Sequence, residues 1–161
     1  MAAFQEIYDK YAQPVYRFLL SLSGNEDLAE ELLQETFYQA LTHIERFEGR
    51  CSLYTWLCQI GKNAWLRECR RSKRYSEVCW EDLKLPDSTP SPEAQAIARD
   101  EYRRARRALQ KLEEPYRDVF ILHALGGVRL KEIAAVYGKS ESWARVTYFR
   151  AKQQIAQEVS K

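Results

Sequence analysis

The sequence is poor in histidine, glycine and methionine, and it lacks any long apolar run. It contains 2 histidines, 6 glycines and 1 methionine in 161 residues, and the histidines, His43 and His123, lie far apart. We find no glycine-rich phosphate loop and no nucleophile paired with a base. No apolar stretch approaches the roughly 20 residues of a membrane span, and the N-terminus lacks the basic and apolar regions of a secretory leader. We therefore expect a cytoplasmic protein that is not an enzyme, binds no cofactor and does not insert into a membrane.

The cysteines do not form a metal-binding pattern. Cys51, Cys58, Cys69 and Cys79 lie in one stretch, but none belongs to a C-x-x-C pair and no histidine stands nearby at the spacing of a metal ligand. We expect no metal site. The cysteines are predicted to be reduced thiols, with Cys58 a small core residue and the others partly exposed.

The net charge of +2 conceals an uneven distribution of charged residues. Residues 1–98 carry 11 basic and 15 acidic groups, whereas residues 99–161 carry 14 basic and 8 acidic groups. Within the first part, residues 1–48 hold 3 basic and 9 acidic groups, and residues 62–74 hold 6 basic groups against Glu68 alone. A single run of this kind is usually a solvated helix face. Together the runs predict an acidic surface followed by two basic ones, and the C-terminal excess suits a polyanionic partner.

Apolar residues recur at three- and four-residue steps with almost no strand alternation, which predicts an all-α fold. Pro14 is expected to bend or divide the first helix. Asn25 and the acidic residues after it favour the start of a second helix, and Ser52 is expected to cap a third. The apolar stripe of the first two helices comprises Phe4, Ile7, Tyr8, Tyr11, Val15, Phe18, Leu19, Leu22, Leu28, Leu32, Phe37, Leu41 and Ile44.

A proline-rich stretch separates two helical halves. Pro86, Pro90 and Pro92 fall within seven residues, which predicts a flexible linker. Helical periodicity resumes after it, Pro115 suits the first turn of a further helix, and Gly126 stops that helix. We therefore predict two small helical domains, residues 1–75 and 96–161, joined by the linker 76–95.

The C-terminal half contains the pattern of a helix-turn-helix. A short helix with Ile133 and Ala134 facing inward ends at Gly138, and Ser140 caps the next helix. Arg145, Arg150 and Lys152 then place positive charge along the presumed recognition helix, where they suit phosphates or guanine edges. A plain helical hairpin is the alternative, but caps, turn and charge together favour DNA binding. Trp143 is interpreted as a core-facing anchor rather than a base contact.

Taken together, these segments resemble the sigma-70 family of promoter-recognition subunits, in its smallest branch, the extracytoplasmic-function (ECF) sigma factors. The run Glu30-Glu31-Leu32-Leu33-Gln34-Glu35-Thr36-Phe37 is similar to the acidic motif with which the family's first domain binds the clamp helices of the polymerase. The resemblance therefore implies an alternative sigma factor that binds bacterial core RNA polymerase and directs transcription initiation. The implied polymerase-binding residues are Glu30, Glu31, Leu32, Gln34, Glu35 and Phe37.

The run from Phe47 to Asn63 resembles the loop and helix that hold the melted minus-ten promoter element. An unpaired base can be extruded into a pocket, stacked on an aromatic ring and held by nearby cations. Phe47, Asn63 and the Gly49–Ser52 loop are predicted to form that pocket, whereas Trp56 is interpreted as a core residue because it lies in the apolar stripe of its helix. The implied minus-ten residues are Phe47, Gly49, Arg50, Cys51, Ser52, Lys62, Asn63, Arg67, Arg70 and Arg71.

The C-terminal half resembles the family's reader of the minus-thirty-five element. It departs from the usual pattern where Val146 and Thr147 replace serine and arginine, which removes one positive charge from the reading face. The implied minus-thirty-five residues are Ser140, Glu141, Ser142, Arg145, Val146, Tyr148, Arg150 and Lys152. The resemblance also implies promoter DNA and an anti-sigma protein, often membrane-bound in this branch, as partners.

A conventional helix-turn-helix transcriptional regulator is the alternative reading of the C-terminal half. Such a protein would normally dimerise on a palindrome. It would have no use for an acidic polymerase-binding helix followed by a basic melting surface, so the sigma factor is the favoured interpretation.

Overall fold

The computed structural model describes the backbone of residues 2–71 and 92–160 and the side chains of residues 3–71 and 100–160. The regular structure in these ranges is helical, which confirms the predicted all-α class. In the first range the helices are α1 (Ala2–Ser23), α2 (Glu26–His43), a 3₁₀ turn (Ile44–Arg46) and α3 (Leu53–Arg71). In the second they are α4 (Pro92–Lys111), α5 (Tyr116–Phe120), a π-helical turn (Ile121–Leu125), α6 (Leu130–Tyr137) and α7 (Glu141–Ser160).

The helix starts of the N-terminal half lie where capping side chains predict them. The Asn25 side chain accepts a hydrogen bond from the Leu28 N–H at 2.9 Å, and the Ser52 hydroxyl accepts one from the Thr55 N–H at 3.2 Å. Each cap satisfies a backbone donor that the first helical turn leaves unpaired, a contribution of ~1 kcal/mol. Pro14 lies inside α1 and does not divide it, so that part of the prediction was wrong.

Helices α1, α2 and α3 pack against one another around a close contact at Gly61. A Cβ atom at this position would lie 2.9 Å from Leu19 Cδ2 and 3.1 Å from Thr36 Oγ1, so the missing side chain lets α3 approach the other two helices. Cys58 is fully buried, as predicted. Three members of the predicted stripe are exposed, namely Tyr8 of α1, Leu41 of α2 and Ile44 of the 3₁₀ turn, so the prediction was wrong at these positions.

The helix-turn-helix forms as predicted. Gly138 ends α6 with φ of +65°, a left-handed conformation that glycine adopts without a steric penalty. The Ser140 hydroxyl accepts a hydrogen bond from the Trp143 N–H at 3.1 Å and so caps α7. Ile133 and Ala134 are buried beneath the motif. Trp143 is half-buried with its ring 5.7 Å from that of Tyr137, which agrees with a role as a packing anchor.

The two halves pack against each other and share one cluster of buried side chains. Phe18, Leu22 and Leu57 from the N-terminal half belong to the same cluster as Leu122 and Ile133 from the C-terminal half. Residues 76–91 of the predicted linker lie outside the described residues, as does Cys79, and residues 92–95 belong to the first turn of α4. The predicted residues of the polymerase and promoter surfaces are therefore held on two helical units that contact each other directly.

Candidate nucleic-acid interface

The acidic face of α2 is open to solvent. Glu30, Glu31, Gln34 and Glu35 are exposed, so all four can reach a partner. Two apolar residues predicted for the same surface, Leu32 and Phe37, are instead buried in the core. The Phe37 ring packs against those of Phe4 and Tyr8, with centroid distances of 6.1 and 4.9 Å. Phe37 and Leu32 therefore anchor the acidic face to the core, although Leu32 also lines the groove between α2 and α3.

A groove of about 340 Å³ lies between α2 and α3 and joins the acidic surface to a basic one. Glu31 and Glu35 line it from α2, and Arg67 and Arg71 line it from α3. The Arg71 guanidinium donates to the Glu68 carboxylate at 3.0 Å. Arg67, Arg70 and Arg71 are exposed, so all three can meet a phosphate backbone.

The loop before α3 forms a small aromatic pocket of about 130 Å³. Phe47 and Trp56 pack against each other in its wall, with ring centroids 5.3 Å apart and ring planes tilted by 48°. Gly49 turns the loop with φ of +77°, and the Arg50 guanidinium lies 3.0 Å from the Glu48 carboxylate. The pocket is lined by Arg46, Phe47, Glu48, Arg50, Cys51, Trp56, Gln59 and Val136.

The pocket only partly matches the predicted one. Asn63 is exposed and is not among its lining residues. Trp56, which we interpreted as a core residue, is half-buried and lines the pocket. Gln59 was missed, although its spacing of three from Trp56 places both on one face of α3. Val136 comes from α6 in the other half, and no local pattern in the sequence could have indicated it.

Lys62 is buried, unlike the exposed arginines of α3. Its side chain is 4% exposed, and its ammonium lies 3.0 Å from the Asp118 carboxylate of α5. Asp118 also accepts hydrogen bonds from the Arg117 Nε–H at 3.3 Å and from the Tyr137 hydroxyl at 3.4 Å. Burial and the Asp118 charge both raise the pKa of Tyr137, which keeps this hydroxyl protonated as a donor. In this conformation Lys62 cannot touch DNA.

Glu132 of α6 holds the end of the Gly49–Ser52 loop. Its carboxylate accepts a hydrogen bond from the Ser52 N–H at 2.6 Å. Burial alone would raise the pKa of Glu132, but this bond, the hydroxyls of Thr55 and Ser52 and the charge of Arg129 lower it below the ordinary value. Burial, with a smaller effect of the Glu132 charge, raises the pKa of the Cys51 thiol.

A further hydrogen bond joins the halves at Tyr54, whose hydroxyl donates to the Gly126 carbonyl at 2.7 Å. Burial is the main cause that raises the pKa of Tyr54. Burial also raises the pKa of the Cys58 thiol to about 12. Both groups are therefore protonated at neutral pH.

The recognition helix α7 has an open outer face. Ser140, Glu141 and Ser142 are exposed at its start, and Arg145 pairs with Glu141 at 3.1 Å. Val146 and Phe149 are exposed apolar residues on the same helix, and Phe149 was not predicted. The predicted residues that are exposed on this helix and its cap are Ser140, Glu141, Ser142, Arg145, Val146, Arg150 and Lys152.

Tyr148 differs from the rest of the predicted minus-thirty-five set. It is half-buried, its ring stacks on that of Phe120 at 5.8 Å, and it meets the edge of His123 at 4.5 Å. The Lys152 ammonium lies 5.9 Å from the Tyr148 ring centroid. Tyr148 therefore fastens α7 to its own domain rather than facing outward.

The described residues contain neither a metal-binding cluster nor a membrane-spanning helix. Within residues 2–71 and 92–160, no group of three or more histidine, cysteine or acidic side chains could hold a metal ion. In the same ranges, no helix combines the length and apolar character needed to span a membrane.

Comparison with known proteins assigns both halves of the chain to described families. Residues 7–75 match the family described as Sigma-70 region 2, and residues 102–155 match the family described as Sigma-70, region 4. The chain is 31% identical over 153 residues to the ECF RNA polymerase sigma factor SigM of Bacillus subtilis, covering 93% of this chain and 91% of that protein. It is 30% identical over 152 residues to SigX of the same organism, covering 91% of this chain and 78% of SigX.

Two solved structures share the fold. The sigma factor RpoE in complex with the anti-sigma factor NepR from Bartonella quintana superposes with a TM-score of 0.60 at 22% identity, covering 99% of this chain and 98% of that chain. CnrH in complex with the cytosolic domain of CnrY gives a TM-score of 0.62 at 21% identity, covering 99% and 88%.

Proposed function

The chain belongs to the extracytoplasmic-function branch of the sigma-70 family, and we propose that its two halves divide promoter recognition between them. Residues 1–75 bind core RNA polymerase and hold the melted minus-ten element, and residues 96–161 read the minus-thirty-five element. The protein performs no catalysis itself and acts in the cytoplasm with the polymerase. The conventional helix-turn-helix regulator is set aside, because residues 7–75 match a sigma-70 domain that such a regulator lacks.

The observation that carries this proposal is the pocket lined by the contacting rings of Phe47 and Trp56. A volume of about 130 Å³ lined by two aromatic rings suits a flipped base, which stacks on such rings whatever its identity. Gln59 and the loop around Arg50 supply donors and acceptors at its rim. Arg67, Arg70 and Arg71 continue from the pocket along α3, where a single DNA strand carries one negative charge per nucleotide.

The exposed acidic face of α2 is proposed as the polymerase-binding surface. Glu30, Glu31, Gln34 and Glu35 project from one helix that Leu32 and Phe37 anchor to the core. Such a face attracts a basic partner surface and repels DNA, so it keeps the polymerase contact separate from the promoter contacts.

The outer face of α7 is proposed as the minus-thirty-five reader. Its exposed cation Arg145 is long enough to reach a guanine edge or a phosphate in the major groove. Val146 is exposed beside it, and an apolar side chain at this place suits contact with a thymine methyl group.

An anti-sigma protein is proposed as a regulatory partner. One structural neighbour was solved with an anti-sigma factor and the other with the cytosolic domain of a second protein. Whether such a partner binds this chain is tested by capture of the tagged protein from cells of its source before and after stress.

The proposed function is tested by reconstituted transcription. The purified protein is mixed with core RNA polymerase lacking any sigma subunit and with genomic DNA fragments, and transcripts are sequenced from their first nucleotide. We expect start sites that share two upstream elements at promoter spacing. Core enzyme without the protein is the control.

The opposite result is equally informative. If the protein bound duplex DNA but formed no complex with core polymerase and gave no transcripts, the sigma assignment of its surfaces would be overturned. A conventional regulator would then be the better explanation of α7.

A further inference from the structure

We propose that Gln59 gives the aromatic pocket its base preference, that the preferred base is adenine, and that Arg46 binds the phosphate of the same nucleotide. This inference rests on the proposed function of the pocket and goes beyond it. Stacking on aromatic rings is tolerant of sequence, so the rings alone cannot select a base. The inference adds one residue that selects the base and one that holds the backbone.

The pocket is built almost entirely by the N-terminal half. All its lining residues except Val136 belong to the segment 46–59. Phe47 and Trp56 contact each other in its wall, with ring centroids 5.3 Å apart, so a flipped base must lie against the ring pair and not between the rings. Stacking on that wall contributes affinity for any base. Selection therefore depends on the polar side chains beside the wall.

Gln59 carries a polar group that is available to the edge of a base. It is half-buried and lies on the same face of α3 as Trp56, three residues earlier. Its side-chain amide forms no hydrogen bond with any residue that the structure describes. By contrast, the Arg50 guanidinium and the Glu48 carboxylate at the rim bind each other at 3.0 Å. The Gln59 amide can therefore offer its oxygen as an acceptor and its N–H groups as donors to a bound base.

Adenine is the base whose Watson–Crick edge a single amide satisfies completely. That edge carries two polar groups, the N6 amine as a donor and N1 as an acceptor, which suit the oxygen and the amino group of glutamine. Guanine, cytosine and thymine each present a third polar group on the same edge. A third group without a partner in a partly desolvated pocket is unfavourable. One amide beside an aromatic wall therefore favours adenine.

Arg46 is placed to hold the backbone of the same nucleotide. It ends the 3₁₀ turn directly before Phe47, is exposed and lines the pocket. Within the described part of the chain its guanidinium forms no ion pair, unlike that of Arg50. A guanidinium binds phosphate oxygens in a bidentate manner, and such a contact carries no sequence information. Arg46 should therefore contribute affinity without changing the base preference.

The first experiment compares base preferences within a reconstituted holoenzyme. Core RNA polymerase with the wild type, with Gln59→Leu or with the control Gln157→Leu, an exposed glutamine of α7, transcribes a library of one mapped promoter with a randomised minus-ten element. Sequenced transcripts give each preference as a ratio, which does not depend on the folded fraction of a variant. We expect one position at which the wild type and the control favour adenine by about 5- to 150-fold and Gln59→Leu shows no preference.

The outcomes separate this inference from the proposed function. If the wild type gives no transcripts that share two upstream elements, the proposed function fails and this inference fails with it. If it gives them and Gln59→Leu keeps every base preference, the role of Gln59 is overturned while the proposed function stands. If the preference that Gln59→Leu loses is for another base, the assignment to adenine is overturned.

The second experiment tests the chemistry of the contact on a pre-melted promoter with a modified non-template strand. At the position found in the library, purine replaces adenine and so removes the N6 amine. The control base, 7-deazaadenine, lacks N7 and keeps the Watson–Crick edge. We expect purine to lower transcription by the wild-type holoenzyme at least about fivefold, to leave Gln59→Leu unaffected, and 7-deazaadenine to affect neither. Equal losses with purine in both proteins would overturn the contact.

The role of Arg46 is tested on the same library. Arg46→Gln should lower the transcript yield several-fold for every library member, per molecule bound to core polymerase, and keep the base preferences of the wild type. Arg107→Gln makes the same change at an exposed position of α4 and should alter neither quantity. An unchanged yield or an altered base preference in Arg46→Gln would overturn its assignment to the phosphate.

Discussion

The two DNA-reading surfaces proposed for this chain differ in how the fold presents them. Arg145 on α7 is 65% exposed and pairs with Glu141, one turn away on its own helix. Lys62 on α3 is 4% exposed and pairs with a carboxylate of the other half. The pocket beside it is bordered by Val136, also from the other half. One surface is open, whereas the other is bordered by residues from the opposite half of the chain.

This difference shows that a basic residue in a suitable motif does not by itself form a nucleic-acid surface. An ion pair exposed to water contributes little to stability, and its cation can readily pair with a phosphate instead. Both charges of a buried pair lose their hydration, and only a partner of matching geometry compensates for that loss. Arg145 therefore stays available to any polyanion, whereas the Lys62 ammonium is held by a carboxylate of the other half.

The largest effect is expected where the buried ion pair is broken. Asp118→Ala leaves the Lys62 ammonium buried without its carboxylate, which should lower the free energy of unfolding by ~3–5 kcal/mol in urea denaturation. The matched control is Asp100→Ala, because Asp100 pairs with Arg104 at the surface with side chains 57% and 50% exposed. That change should cost less than ~1 kcal/mol. Equal losses in the two variants would contradict a buried, paired Lys62.

A smaller effect is expected at Arg145, on the exposed face of α7. Arg145→Ala should weaken binding to a minus-thirty-five duplex by ~1–3 kcal/mol if the guanidinium contacts a base, with the thermal stability unchanged because the side chain is exposed. Arg107→Ala makes the same chemical change on an exposed part of α4 and should leave affinity nearly unaltered. Anisotropy on a promoter duplex and on its scrambled version separates the roles: an equal loss on both would assign Arg145 to phosphate.

The polymerase surface should respond more weakly. Glu31→Ala together with Gln34→Ala removes two exposed side chains of α2, and affinity for core polymerase should fall by ~1–2 kcal/mol. Gln157→Ala with Glu113→Ala is a control of the same composition at exposed positions of the C-terminal half. Circular dichroism should be unchanged in both. Unaltered binding of the α2 variant in a pull-down with core enzyme would remove the acidic face from the interface.

The smallest expected effect is on the reactivity of the Cys51 thiol, which lines the pocket. Burial and the Glu132 charge raise the pKa of Cys51, so at pH 8 the reactive thiolate is scarce. Glu132→Ala removes one of these causes, and a lower pKa increases the thiolate fraction at that pH. Iodoacetamide labelling of Cys51, read by mass spectrometry, should accelerate severalfold. Cys58, fully buried with a pKa of about 12, should stay unlabelled, and its modification at the same rate would show general unfolding instead.

Much of the local structure could be predicted because it depends on neighbours in the chain. The caps at Asn25, Ser52 and Ser140 and the turn at Gly138 each satisfy backbone groups within a few residues. The apolar stripe located most of the core of α1, but it failed at Tyr8, Leu41 and Ile44. Periodicity identifies a helix face, whereas burial requires another element to cover that face, and nothing in the described residues covers these three side chains closely enough to bury them.

The candidate sites were predicted less completely, for the same reason. The acidic residues of α2 and the exposed residues of α7 lie where the motif places them, whereas Leu32, Phe37 and Tyr148 turn inward to pack. Asn63 was assigned to the pocket from its motif, but the residues that line the pocket from α3 are Trp56 and Gln59. A motif specifies residue types at a spacing, and the rotation of the helix against its neighbours decides which of them face a cavity.

The sequence by itself determined the helical class, the caps and turns, the acidic and basic segments and the family. Those properties follow from interactions between residues a few positions apart, or from composition that packing does not alter. Only the tertiary structure decided that the buried Lys62 ammonium pairs with Asp118, that Glu132 holds the Ser52 amide and that Val136 borders the pocket. These contacts join residues from opposite halves of the chain. Their formation depends on how two helical surfaces fit and exclude water, which no local pattern of residues specifies.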